Sequence, residues 1–311
     1  MNEFELIAAL TSELATGEGV VVGPGDDCAV VDGDGDREIL LKTDAVVEGV
    51  HFERETDSRL VGRKALARCL SDIAAMGGSP RHALITLGLP DGFDPGYLKG
   101  VYAGLNELAK AHGVSVVGGE TTNNGDRLFI NIALTGEVEK GRAILRSGAQ
   151  VGDAVFVSGE LGGSLAGHHL KFEPRLKESS WLTAEFEVHS MIDVSDGLAG
   201  DLRHIARASG VGAELLETAV PISRSAKRRA RDQISSKPPL LAALTDGEDF
   251  ELLFTIVAAE AVNLLDGWKR EFPDVKLSCV GKIVEGDGLR IKDRTGIREL
   301  TVEGFTHFAK N

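Results

Sequence analysis

The stretch Met191-Ile192-Asp193-Val194-Ser195-Asp196-Gly197-Leu198 decides the fold prediction, because it joins an apolar strand to the start of a helix. The strand ends at Asp193, and Asp196 follows three residues later. The helix is predicted over residues 198–209, with Gly210 as its C-terminal cap. Ligands of α/β proteins usually bind where sheet strands end. The stretch therefore indicates an α/β protein with a functional site at the end of this strand.

Other acidic residues stand beside glycine, serine or threonine in the same way. They occur in Gly25-Asp26-Asp27, Thr43-Asp44, Ser71-Asp72 and Gly118-Gly119-Glu120. Carboxylates that gather in one place repel each other unless cations join them. The pattern therefore predicts a site for several metal ions, and phosphoryl transfer is the reaction that suits such a site best.

Some of these acids also have a plain structural explanation. Ser195 or Asp196 could cap the helix that follows, although this would leave Asp193 unexplained. Asp72 projects into the apolar face of a helix predicted over residues 61–76, where a metal ion and a buried hydrogen bond are equally good partners. The metal interpretation is favoured for Asp193 and Asp196 and stays open for Asp72.

A short acidic turn, Asp32-Gly33-Asp34-Gly35-Asp36, separates strands predicted over residues 29–31 and 39–43. The turn departs from the EF-hand calcium loop at two required positions, so a hairpin is the better interpretation. Antiparallel pairing about this turn places Asp27 opposite Thr43. Two acidic segments that are distant in sequence are therefore expected to share one end of a sheet.

The remaining apolar patterns divide the chain into two α/β domains. In the first, helices are expected over residues 3–14 and 95–112, and strands over 82–89, 114–117 and 128–138. In the second, strands are expected over 154–158, 212–216, 250–257 and 277–283, and helices after residue 164 and over 258–272. We predict domains over residues 1–141 and 149–311, and a loop over the site at residues 171–187.

The composition limits the partners and the compartment. The chain has 311 residues, 42% of them hydrophobic, and a formal net charge of -14 at pH 7. This charge repels nucleic acid and anionic membranes, so neither is an expected partner. The three cysteines form no CxxC pair, which fits a reducing cytoplasm. The N-terminal residues do not have the pattern of a signal peptide, and no apolar stretch is long enough to span a bilayer.

Three further features are ambiguous by themselves. The loop over residues 159–164 follows a strand, but it matches neither the Walker A nor the dinucleotide-binding spacing, so a tight turn and a phosphate loop stay open. If the protein binds ATP, metal ions and residues such as Arg146 must supply the positive charge. Glu248 or Asp249 could meet a cationic ligand or solvent. His51 is a lone histidine, and such residues are more often structural than functional.

Seven segments, taken in order, resemble the thiamine-monophosphate kinase family of the aminoimidazole-ribonucleotide-synthetase superfamily. The segments are residues 23–30, 42–52, 70–77, 118–122, 146–149, 192–198 and 247–252. The resemblance runs from about Phe4 to Phe308. It implies an N-terminal α/β domain whose sheet pairs with that of a second subunit in a homodimer. It also implies a C-terminal α/β domain beside the first, with the site between them.

The resemblance also implies roles for individual residues. Mg²⁺ ligands are expected at Asp27, Thr43, Asp44, Asp72, Asp193 and Asp196, and also at Glu120, where the family usually has aspartate. Contacts to ATP are expected from Lys42 through its backbone, and from Tyr102, Gly119, Glu120, Arg146 and Ser195. Contacts to thiamine phosphate are expected from His51, Glu248 and Phe305.

The activity implied by the resemblance is the Mg²⁺- and ATP-dependent phosphorylation of thiamine monophosphate to thiamine diphosphate. The acceptor phosphate is largely ionised at neutral pH, so no general base is needed. Several Mg²⁺ ions would neutralise and align the two anions, while Glu248 and Phe305 would suit the cationic thiazolium ring. The alternatives are another ATP-using enzyme of the superfamily and a non-catalytic nucleotide- or metal-binding regulator.

Overall fold

The N-terminal half of the chain folds around a six-stranded mixed sheet. The computed structural model describes residues 3–11, 14, 17–302 and 304. The strands of this sheet are β1 (Val20–Val22), β2 (Ala29–Asp32), β3 (Arg37–Val47), β4 (Ser79–Pro90), β5 (Ser115–Gly125) and β6 (Phe129–Glu139). Their order is β1-β2-β3-β6-β4-β5, so β5 is an edge strand. The helices of this half are α1 (Glu3–Thr11), α2 (Ser58–Ala75) and α3 (Pro95–Ala111).

The C-terminal half folds around a seven-stranded sheet. Its strands are β7 (Ala154–Ser158), β8 (Val188–Asp193), β9 (Gly212–Leu216), β10 (Leu252–Ile256), β11 (Leu277–Val284), β12 (Leu289–Asp293) and β13 (Gly296–Glu299), in the order β13-β12-β9-β11-β7-β10-β8. Its helices are α4 (Leu176–Glu185), α5 (Leu198–Ser209), α6 (Arg224–Arg231), α7 (Pro239–Thr245) and α8 (Ala261–Glu271). The mixed α/β architecture expected from the sequence is confirmed.

Helix α2 is the central element, because it packs against the N-terminal sheet, against α3 and against the C-terminal half. It begins after Asp57, whose side chain accepts the N–H of Arg59. Gly62 lets α3 approach closely, since a Cβ atom there would lie 1.9 Å from the carbonyl oxygen of Val101. Phe172 and Phe250, from the other half, complete the apolar core around α2. The two halves therefore share buried surface along this helix.

Several expectations about secondary structure are confirmed. Strands β7 and β9 and helix α5 have the predicted bounds, and Gly210 ends α5 in the left-handed conformation, with φ 66°. In the hairpin, Ala29 pairs with Leu41, the register that places Asp27 opposite Thr43. Among the described residues, no helix combines the length and the apolar character that a membrane crossing requires.

The structure corrects the predictions in several places. The segment 171–187 is not an open loop, because α4 lies in it and packs on α2, with the Ser179 hydroxyl donating to the carbonyl of Ala74 at 2.6 Å. Strand β5 runs eight residues beyond the predicted end at residue 117, since an exposed edge strand needs no apolar alternation. Helix α1 spans Glu3–Thr11. The helix predicted after residue 164 is instead two short 3₁₀ turns, Ser164–Ala166 and His168–Leu170, and the helix predicted over 258–272 begins with the 3₁₀ turn Ala258–Glu260.

Candidate functional site

Helix α2 carries three charged side chains in a row where residues of the two halves meet. Lys64, Arg68 and Asp72 are spaced four residues apart, so they lie on one side of the helix, and we call them the α2 row. Lys42 and Asp44, on the inner face of β3, meet this row. The Lys42 ammonium lies 2.7 Å from a carboxylate oxygen of Asp72, and the Arg68 guanidinium binds both oxygens of Asp44, at 2.8 and 3.1 Å.

Three acids gather at one end of the α2 row. Ligand atoms of Asp27, Asp72 and Asp193 lie within 4.8 Å of one another, and all three residues are buried. We call them the three-acid group. Asp27 precedes β2, Asp72 lies in α2 and Asp193 ends β8, so three distant segments build the group. The sequence prediction that these acids meet is therefore supported by their positions.

The polar partners of the three-acid group leave one acceptor unused. Arg146 binds Asp27 through its guanidinium, with the Nε–Oδ1 distance at 3.2 Å, and Ser71 donates its hydroxyl to Asp193 at 2.6 Å. The second carboxylate oxygen of Asp27 is buried and has no hydrogen-bond partner. A buried acceptor without a donor is costly, and a cation would satisfy it.

The electrostatics of this group follow from burial and mutual repulsion. Burial, and then the neighbouring Asp27, raise the pKa of Asp193 to about 7. Burial, and then Asp193 and Asp27, raise the pKa of Asp72 well above its ordinary value, even though Lys42 lowers it. Nearby Asp26 has its pKa raised to about 6, first by burial and then by Asp27. Such carboxylates hold a proton or a cation when they are packed this closely.

Asp196 belongs to a second acid group with Asp201 and His204, whose ligand atoms also lie within 4.8 Å of one another. The backbone N–H of Asp196 donates to a carboxylate oxygen of buried Asp201 at 3.1 Å. Burial, and then Asp196, raise the pKa of Asp201, while burial, and then Arg146, lower the pKa of His204 to about 4. Asp201 and His204 were not predicted from the sequence. Their three-residue spacing on α5 indicates that they lie on one face of the helix, and this could have been recognised.

Glu248 lies at the opposite end of the α2 row from the three-acid group. It contacts Lys64 at 2.5 Å, Arg68 at 3.1 Å and the ring Nδ1 of His169 at 3.1 Å. Burial alone would raise the pKa of Glu248, but these three partners lower it to about 2. The carbonyl oxygen of His51 accepts a hydrogen bond from Lys64 at 2.6 Å, so two of the three residues expected to touch thiamine phosphate share one cation.

The backbone around Glu248 has an unusual conformation. Glu248 and Phe250 have φ values of 56° and 52°, in the left-handed region that non-glycine residues rarely adopt. Between them, buried Asp249 accepts the backbone N–H of Gly162 at 2.8 Å, and the N–H of Glu248 donates to the carbonyl of Ser195 at 2.7 Å. The loop over residues 159–164 therefore braces this turn.

The other residues expected to contact Mg²⁺, ATP or substrate form no hydrogen bond or ion pair with the α2 row among the described residues. Thr43 donates its hydroxyl to Asn131 at 3.0 Å and points away from Lys42 and Asp44. Glu120 lies exposed on the edge strand, where its carboxylate accepts the N–H of Thr121 at 2.8 Å. Gly119 lies on the same strand, and Tyr102 is partly exposed on α3. Phe305 lies outside the described residues.

Sequence reasoning missed Lys64, Arg68 and His169. The signal for the first two was present, because both stand four residues apart and Asp72 follows Arg68 at the same spacing in a helix that is otherwise largely apolar. Such charged residues inside a buried helix must find partners. His169 had no comparable signal, since only the tertiary fold brings it to Glu248.

Comparison with known proteins gives consistent matches along the whole chain. Residues 25–138 match the N-terminal domain and residues 154–294 the C-terminal domain of AIR synthase related proteins. The thiamine-monophosphate kinase of Rhodopirellula baltica is 40% identical over 93% of this chain and 92% of its own. That of Bacillus subtilis is 34% identical over 99% of this chain and 100% of its own.

Solved structures agree with these relatives. The structure of AaThiL complexed with AMPPCP and TMP has a TM-score of 0.84 and 31% identity, and the match covers 99% of this chain and 97% of the other. Escherichia coli HypE, a hydrogenase maturation protein, matches with a TM-score of 0.72 over 96% of each chain. At 22% identity this second likeness shows a shared fold alone.

The buried ion pair between Lys64 and Glu248 gives a test of the site's energetics. A double-mutant cycle with Lys64→Met and Glu248→Gln should give a coupling energy of about 1–3 kcal/mol in denaturant unfolding, because Lys64 is fully buried. The matched control is the exposed pair of Arg59, on the same helix, and Glu107, which should couple by less than about 1 kcal/mol. Equal coupling in the two cycles would contradict this account.

Proposed function

The chain belongs to the thiamine-monophosphate kinases, within the AIR synthase related family, and on this premise we propose how its residues serve the reaction. The activity is the ATP-dependent phosphorylation of thiamine monophosphate, which yields thiamine diphosphate and ADP. The single observation that carries the residue assignments is the three-acid group, which the fold assembles from three distant segments.

We propose that the three-acid group holds Mg²⁺. Its donors are carboxylate oxygens, which Mg²⁺ prefers, and the unpartnered oxygen of Asp27 fits a cation. When bound there, Mg²⁺ supplies the positive charge that lets the two phosphate anions approach. Asp44 and Asp196 are proposed as further Mg²⁺ ligands. The roles of Thr43 and Glu120 as Mg²⁺ ligands stay predictions.

The residues of the site need to position and neutralise rather than to remove a proton. The acceptor oxygen belongs to a phosphate monoester, which is already ionised at neutral pH. The carboxylates therefore serve as ligands, and no general base is assigned. Arg146, which lies beside Asp27, is suited to bind the phosphates of ATP, because a guanidinium offers paired donors. Contacts to ATP from Ser195, the backbone of Lys42, Tyr102 and Gly119 stay predictions.

We propose that Glu248 pairs with the thiazolium ring of thiamine monophosphate. Its carboxylate stays ionised, since its pKa is lowered to about 2, and an ionised carboxylate attracts a cationic ring. His51 lies near Glu248, because its carbonyl oxygen and the Glu248 carboxylate both accept from Lys64. Phe305 would add an aromatic surface; Gly304, the residue before it, lies against Asp196 and Gly200.

We propose that two copies of the chain pair through the N-terminal sheet. All but the last residue of β5 are exposed, and its edge carries Val117, which is 59% exposed. Leu84, on the adjacent strand β4, and Leu41, on β3 of the same sheet, are also exposed. An exposed apolar edge strand is a common surface for association.

We also propose the domain division 1–141 and 149–311, and a reducing, cytoplasmic location that suits the exposed free thiol of Cys279.

The activity itself predicts a sharp preference between acceptors. With ATP and Mg²⁺, thiamine monophosphate should be converted to thiamine diphosphate and ADP. Unphosphorylated thiamine should react slower by about 10²-fold or more, because its hydroxyl has no base to take the proton. Chromatographic separation of thiamine and its phosphates measures both rates. Equal rates, or no diphosphate at any Mg²⁺ concentration, would refute the assignment.

The metal assignment predicts opposite effects on activity and stability. Asp193→Asn should lower kcat by about 10²-fold or more, since several kcal/mol of charge stabilisation are lost. Without Mg²⁺ its melting temperature should equal or exceed that of the wild type, because repulsion is relieved, and added Mg²⁺ should no longer raise it. Asp34→Asn, in the exposed hairpin turn, is the control. A variant that fails to fold would favour a purely structural role for Asp193.

The proposed homodimer predicts that one charge on the edge strand separates the subunits. Val117→Glu should shift the sedimentation of the protein from the dimer to a 33.0 kDa monomer, because it buries an unpaired carboxylate in the interface. Val262→Glu, on exposed α8, should leave the assembly unchanged. A wild-type protein that is monomeric at micromolar concentration would contradict the proposal.

A further inference from the structure

Arg68 occupies the middle of the α2 row, between the two ends of the site. Its guanidinium binds Asp44 through two nitrogens and reaches Glu248 through the third, at 3.1 Å. The side chain is largely buried but keeps 15% of its surface exposed. Arg68 is therefore shared by a carboxylate at the metal end and a carboxylate at the thiazolium end.

The Arg68 guanidinium is held in place by packing as well as by charge. Its central carbon lies 5.8 Å from the ring centroid of Phe250. The Phe250 ring stacks on Phe172 with centroids 4.2 Å apart, and both rings are buried. A guanidinium fixed in this way loses little freedom when it binds a further anion.

The spacing along α2 matches the order of groups in the substrate. Arg68 lies four residues from Lys64, which contacts Glu248, and four residues from Asp72 in the three-acid group, so it is about 6 Å along the axis from each. The acceptor phosphate of thiamine monophosphate must lie between its own thiazolium ring and the γ-phosphate of ATP. Along the α2 row, that intermediate position is the one beside Arg68.

We propose that Arg68 binds the phosphate group of thiamine monophosphate, and this inference rests on the proposed function of Glu248 and the three-acid group. The substrate carries a cation and an anion, and the ion pair between Glu248 and Arg68 carries the opposite charges in the complementary order. On binding, the thiazolium takes Glu248 as its partner and the phosphate takes Arg68. Each buried charge exchanges one partner for another, so none is left unpaired.

This exchange would also select the phosphorylated substrate. Thiamine has the cation but no anion, so it would separate Glu248 from Arg68 without offering the guanidinium a new partner. A site that presents a charged group to a substrate rejects an analogue that lacks the matching group. Arg68 would therefore act as a binding residue that distinguishes thiamine monophosphate from thiamine.

Calorimetric titration of the full-length protein, with Mg²⁺ and without ATP, tests this proposal. Arg68→Met should weaken the binding of thiamine monophosphate by about 10- to 100-fold, as the loss of a charged hydrogen bond predicts, and should leave that of thiamine equal or tighter, because thiamine no longer has to separate Glu248 from a guanidinium. The affinity of Arg68→Lys for thiamine monophosphate should lie between those of Arg68→Met and the wild type, because lysine keeps the charge but not the paired geometry. Arg59→Met, on the outer side of α2, is the matched control and should bind both ligands like the wild type.

The possible results separate a phosphate-binding role of Arg68 from a structural role, and both from a failure of the proposed function. An equal loss of affinity for both ligands in Arg68→Met, with no recovery in Arg68→Lys, would show that Arg68 only supports the local structure. Unchanged affinity for thiamine monophosphate would show that the phosphate lies elsewhere. A wild-type protein that neither binds nor phosphorylates thiamine monophosphate would refute the proposed function itself. Melting temperatures of all variants identify any that are unfolded.

Discussion

The repulsion among the buried carboxylates of Asp27, Asp72 and Asp193 is the constraint on which the rest of the site depends. Three such groups within 4.8 Å of one another are unfavourable, and the fold keeps them there because each is fixed by a different element. Lys42 and Arg146 offset only part of the charge. The remaining deficit is the one that the proposed Mg²⁺ would satisfy, so the cost of this group to stability and its proposed function have the same origin.

Helix α2 connects this acidic end to the end that holds Glu248. Lys64 and Arg68 neutralise Glu248, and Arg68 also neutralises Asp44, so one side of a single helix sets the electrostatics of both ends. The helix lies against both halves of the protein and cannot shift along its axis without breaking the close contact at Gly62. The spacing of the two ends is therefore fixed by helix geometry, which has no flexible joint.

The sequence predicted the parts of the fold that follow from local pattern. Strand β7 and helix α5 were placed correctly because apolar runs and the glycine cap mark their ends. Strand β5 was cut short because an exposed edge has no apolar alternation to read, and α4 was missed because tertiary contacts such as that of Ser179 hold it. In the site, the acids could be predicted because they stand beside glycine, serine or threonine in the sequence. His169 could not, because only the tertiary fold brings it to Glu248.

The left-handed backbone at Glu248 and Phe250 sets a limit on how this protein can change in evolution. Each such residue costs about 1–2 kcal/mol, which glycine would avoid. Yet glycine would remove either the carboxylate or the ring that supports Arg68. With the proposed roles of Glu248 and Arg68, selection for stability and selection for activity oppose each other at this turn, and a lineage that adapts to heat would have to gain its stability elsewhere.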